Sequence, residues 1–66
     1  MTEEEHQNMW PYAQGLITGA ARNAPREADD NYYQREARYI CDRTGYGTEY
    51  LAEIAETIKR LAKAGV

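Results

Sequence analysis

Apolar residues recur at helical spacing in three successive stretches of the chain. The last is the most regular: Leu51, Ile54, Ala55, Ile58, Leu61 and Ala62 follow i, i+3, i+4, i+7 spacing, a single stripe turned toward a core. In the middle stretch Tyr33, Ala37, Ile40 and Cys41 form an inward stripe beside a more polar one of Tyr32, Glu36, Tyr39 and Arg43. In the first, Ala13, Leu16, Ile17, Ala20 and Ala21 are apolar, with Trp10 at the mouth of the segment. Each stretch also runs from acid to base, which complements the helix dipole. Glu3, Glu4 and Glu5 lead to Arg22; Glu27, Asp29 and Asp30 lead to Arg35, Arg38 and Arg43; Glu49, Glu53 and Glu56 lead to Lys59, Arg60 and Lys63. The pattern predicts an all-α, compact three-helix domain occupying residues 1–66 as one unit. Its helices are expected at about 11–22, 25–43 and 48–64, after a short helical or disordered arm at 1–10.

The boundary residues support that division. Thr2-x-x-Glu5 has the form of a capping box. Pro11 lacks a backbone donor and clashes with the preceding turn at about 3 kcal/mol, so a break between arm and main helix is expected there. Asn23-Ala24-Pro25 reads as a break followed by a helix start, because proline suits the first turn. Thr44-Gly45-Tyr46-Gly47-Thr48 is the second break. Gly45 there suits the left-handed C′ position and turns Tyr46 back toward Ile40 or Cys41. Thr48 or Gly47 is the expected cap of the third helix, and Gly65 its stop. Gly15 and Gly19 lie four apart inside the first helix, each at a cost of about 1 kcal/mol. That spacing predicts close backbone packing, within the chain or across a homodimer axis.

Composition limits what such a domain can do. At 66 residues its apolar core supplies only about 3–5 kcal/mol, so well-formed helices, a partner, or both are needed. One cysteine excludes an intramolecular disulfide framework and structural zinc. The charged start is unlike a signal peptide and no membrane span is present, which makes a cytoplasmic location the expectation. Six Tyr and no Phe mean that nearly every ring carries a hydroxyl needing a partner or water, so an aromatic contact surface is expected. The net charge of −3 disfavours direct nucleic-acid or acidic-membrane binding. By segment it is −2 over 1–22, −1 over 23–44 and zero over 45–66. The acidic excess would make one patch if the first two helices began near each other.

No chemistry-bearing constellation emerges. Cys41 is the single thiol and His6 the single imidazole, there is no Ser, and a cysteine on an apolar stripe is usually a small buried hydrophobe. Glu3-x-x-His6 is half of a di-iron pattern, but no second His completes it, and a capped helix start followed by a solvated His accounts for it. No phosphate-cradling glycine motif occurs. Catalytic residues, metal ligands and cofactors are therefore all expected to be none.

Binding remains. Trp10, Tyr32, Tyr39, Tyr46 and Tyr50 are the candidate aromatic anchors, and Asp29, Asp30 and Glu36 the candidate steering charges. The expected function is a small acidic, non-enzymatic protein that docks on a protein partner and inhibits it. The expected partner is a nucleic-acid-handling complex whose basic surface it blocks. In size, charge and class the chain resembles phage-encoded inhibitors, including anti-CRISPR proteins, and antitoxins and immunity proteins; no motif carries the likeness. The alternatives are a dimeric helix-turn-helix-like DNA-binding regulator and a structural assembly subunit. In the former, Glu49, Tyr50 and Glu53 would occupy the base-reading end of the third helix, where carboxylates face phosphate.

Overall fold

A computed structural model describes residues 2–65 and shows three helices and, among those residues, no strand. Helix α1 spans Glu3–Arg22, α2 Asp30–Thr44 and α3 Leu51–Lys63, with a single 3₁₀ turn at Thr48–Tyr50 leading into α3. Twenty residues at about 1.5 Å each make α1 roughly 30 Å long, which sets the longest dimension of the molecule, 36 Å. Each helix packs against the other two.

The three-helix architecture agrees with the sequence pattern, but two helix starts differ from it. Residues 3–10 are not a separate arm: α1 runs unbroken through Pro11. Its start is capped by the Thr2 hydroxyl, which accepts the Glu5 N–H at 3.2 Å. Pro11 and Gln7, the residue whose carbonyl loses its helical donor, are both exposed, so water can serve that carbonyl. The first turns are meanwhile held by contacts made elsewhere in the chain. Met9 packs on the core, and Tyr46 donates its phenol proton to the His6 carbonyl at 3.0 Å. The Trp10–Tyr46 ring pair adds about 0.5–1.5 kcal/mol, and His6 lies against both Tyr46 and Tyr50. With the apolar area they bury, these contacts match the proline penalty of about 3 kcal/mol.

Helix α2 begins five residues later than Pro25 suggested. Pro25 instead starts an isolated turn, in which Ala28 donates to the Pro25 carbonyl at 3.1 Å. The cap is Asp29, whose Oδ1 accepts the Tyr32 N–H at 3.1 Å. Ala24 and Ala28 lie against the core and fold the connection onto it. At its other end α2 stops on Gly45, at φ 81°, whose N–H reaches the Cys41 carbonyl at 2.9 Å. Thr44, the one buried polar residue among those described, donates to the Ile40 carbonyl at 2.7 Å and accepts the Tyr46 N–H at 3.4 Å. That pair of bonds turns Tyr46 inward. Gly47, before the 3₁₀ turn, brings no side-chain cap.

The core consists of small and branched residues from all three helices. Ile40 and Ile58 are fully enclosed, and Ala13 and Ala37 have no exposed surface, which allows the helices to approach closely. Tyr33, Ala37, Ile40 and Cys41 all face inward, as do Ile54, Ala55 and Ile58, with Leu51, Leu61 and Ala62 half-buried at the margin. The Gly15 and Gly19 pair plays no part in this packing: a Cβ at either position would meet nothing within 4 Å. Close approach inside the chain therefore does not explain their spacing.

Candidate functional site

The aromatic residues concentrate where the start of α1 meets the α2–α3 connection. On α1, His6 and Trp10 are four residues apart and share a face. Gly45 and Thr44 deliver Tyr46 to the same place, and the 3₁₀ turn delivers Tyr50. The imidazole of His6 lies 4.6 Å from the Tyr46 ring at an interplanar angle of 7°, and 6.0 Å from Trp10 at 11°. Trp10 and Tyr46 are 6.4 Å apart and 15° from parallel. Tyr50 is tilted by 50° to His6 and 45° to Tyr46 and forms a side wall. Tyr46 is only 5% exposed and Trp10 is 37% exposed, so Tyr46 is the interior ring and Trp10 the one most open to solvent.

A pocket of about 340 Å³ opens between α1 and α3 beside this stack, lined by His6, Gln7, Trp10, Tyr50, Glu53, Ile54 and Thr57. A second hollow of about 570 Å³ shares His6, Gln7 and Tyr50 and adds Thr2, Glu3, Gly45, Gly47 and Glu49. The two together present three carboxylates, Glu3, Glu49 and Glu53, and neither is lined by a lysine or arginine. Burial, and then Tyr50, pushes the Tyr46 phenol above its ordinary value, which keeps it a proton donor to His6. Cys41 is raised as well, by burial first and then by Asp42 and Glu49, which keeps the thiol protonated and a poor nucleophile. Among the described residues no three His, Cys, Asp or Glu side chains converge as a metal-binding group.

The anchors read from the sequence divide by location. Trp10, Tyr46 and Tyr50 come together, although Tyr46 is buried and offers a partner almost no surface. Tyr32 is half-buried, with its hydroxyl turned inward. Its phenol donates to the Ala20 carbonyl at 2.9 Å and its ring meets Tyr33 edge-on, so it cements α2 to α1. Burial and the neighbouring half-buried Glu36 raise that phenol too. Tyr39 is half exposed and stands apart from the stack. Its ring lies 5.8 Å from the Arg43 guanidinium, which donates to the Tyr12 hydroxyl at 3.0 Å.

The single acidic patch does not form. Tyr32 reaches Ala20 and Arg43 reaches Tyr12, so α2 runs antiparallel to α1. Asp29 and Asp30 therefore lie at the far end of the molecule from Glu3–Glu5, roughly 25 Å along α1. Asp29 is a helix cap, and Asp30 pairs with Lys59 at 3.6 Å. A groove of about 420 Å³ at that end is lined by Asp29, Asn31, Gln34, Arg35, Arg38 and Leu51; it mixes charges and contains no aromatic ring.

Sequence reasoning missed His6, Glu49 and Glu53 at the stack, and Tyr12 beside Tyr39. The expected break at Pro11 concealed His6, which is half-buried in the stack rather than solvated. A continuous α1 would have put His6 and Trp10 on one face. Comparison with protein-family models, with curated proteins and with solved structures finds no significant match to this chain.

Proposed function

We propose that this chain is a non-enzymatic binding protein that docks through its aromatic, acidic end on a basic surface of a protein partner and inhibits it. The observation that carries the reading is Trp10. This large ring is presented to solvent at 37% exposure, its orientation fixed by the neighbouring rings, beside Glu53 and with Glu3 and Glu49 in the adjoining hollow. A tryptophan held in place beforehand loses little conformational freedom on binding, and such residues dominate interface energetics. The carboxylates supply steering toward a positive surface. Inhibition follows if the covered surface is one at which the partner holds nucleic acid. With a net charge of −3 the chain can imitate a short stretch of phosphates but not a long duplex. A cytoplasmic setting agrees with a lone, buried, unpaired Cys41.

The test is capture from the native host with tagged wild-type protein, Trp10→Ala and Tyr39→Ala, each first shown to be helical by circular dichroism. The wild type and Tyr39→Ala should retain the same protein and Trp10→Ala should lose it. Adding the wild type to that protein should then block its nucleic-acid binding at stoichiometric amounts. Retention by Trp10→Ala refutes the reading, as does a salt-dependent shift of duplex DNA by the pure chain, which would make it a DNA-binding regulator.

A further inference from the structure

The shape of the stack narrows the chemistry of what it receives. Ring faces carry negative quadrupole charge and attract cations. Here three rings lie within 15° of parallel, and Trp10, the most exposed of them, lines the pocket. An occupant of the pocket therefore meets Trp10 on one side and Tyr50 as a tilted wall beside it. Glu53 lines the same pocket as Trp10, and among the described residues it has no ion-pair partner. The buried Ile54 forms a dry side of the pocket, which strengthens charge attraction at the site.

We infer that the pocket between α1 and α3 takes the guanidinium of an arginine side chain from the basic partner; this rests on the binding role proposed above. A guanidinium is planar, so it can lie against the Trp10 ring while its N–H fork engages the Glu53 carboxylate. It is weakly hydrated and enters a half-dry pocket readily. A lysine ammonium is compact and strongly hydrated, and gains the charge of Glu53 without the stacking. A quaternary ammonium has no N–H to donate to the Glu53 carboxylate.

Trp10 is the single tryptophan of the chain, so its fluorescence reports on the pocket directly. The full chain is titrated at low salt with end-blocked tri-arginine, tri-lysine and tri-citrulline, followed by Trp10 emission and by amide shifts. Tri-arginine should saturate, with shifts centred on Trp10, Tyr50 and Glu53. It should bind about two- to fivefold tighter than tri-lysine, the increment expected of guanidinium stacking at an exposed ring. Neutral tri-citrulline should give no saturable change. Glu53→Gln, which leaves the helices intact, should weaken tri-arginine by about three- to tenfold, and Asp30→Asn at the far end should leave it unchanged. Equal binding of tri-lysine or tri-citrulline, shifts centred on Asp29 and Asp30, or undiminished affinity in Glu53→Gln overturns the assignment. If those peptides fail while Trp10→Ala still abolishes partner capture, the binding role stands and the arginine assignment falls. If both fail, both are wrong.

Discussion

Tyr46→Phe isolates the contact that joins the start of α1 to the α2–α3 connection. The substitution retains the buried ring and deletes only the hydroxyl, which donates to the His6 carbonyl at 3.0 Å across forty residues of sequence. A hydrogen bond of this kind contributes about 0.5–1.5 kcal/mol net. The His6 carbonyl is not orphaned by the change, because the α1 ladder still offers it the Trp10 N–H. The expected loss is therefore about 1 kcal/mol, a fall in Tm of about 4–8 °C for a domain of this size. Tyr46→Ala, which also removes the ring, is expected to cost about 3–5 kcal/mol, as much as a core of this size supplies, and should not fold. Thermal and urea unfolding by circular dichroism measure the loss, and hydrogen exchange locates it. In Tyr46→Phe the amides of residues 3–10 should exchange faster, while those around Ile40 and Ile58 change only by the global amount. A Tm within 1 or 2 °C of wild type, or exchange spread evenly along α1, would show that Pro11 is tolerated for some other reason than this tether.

Three further outcomes follow from the same geometry. Asp29→Ala should cost about 1 kcal/mol because it removes the α2 cap, whereas Asp30→Ala, which loses only a solvent-exposed pair with Lys59, should change unfolding by less than about 0.5 kcal/mol; equal effects would contradict the capping assignment. Gly15→Ala and Gly19→Ala meet empty space, so each should stabilise the monomer by about 1 kcal/mol in urea unfolding, and a loss of stability that depends on protein concentration would instead reveal a dimer packed on that face. Burial raises the Tyr32 and Tyr46 phenols, so their neutral form is favoured in the folded state; their contribution is intact below the ordinary phenol value of about 10 and is lost as pH rises through the folded values. Stability should thus fall in the alkaline range, with the Cys41 thiol adding to the fall from about pH 9, and Tyr46→Phe should make the fall shallower.

The helices themselves were legible in the sequence, because their evidence is local. Apolar spacing, acid-to-base polarity and a glycine at C′ all act within a few residues, so the faces of α2 and α3 and the stop at Gly45 could be read directly. Aromatic weighting toward tyrosine was equally plain. The course of the chain through Pro11 and the start of α2 could not be read that way. At Pro11 a local penalty of about 3 kcal/mol is matched by contacts from Tyr46 and Tyr50, about forty residues away. At Asp29 a side-chain cap prevailed over a favourable but weaker proline signal. The site depended on the same long-range contacts. Trp10, Tyr46 and Tyr50 could be named singly, but only the antiparallel packing of α1 and α2 decided that they share one end with Glu3, Glu49 and Glu53 while Asp29 and Asp30 occupy the other. Periodicity determines which face of a helix is apolar; the direction in which that helix crosses its neighbours is set by which side chains interlock, and no local spacing records it.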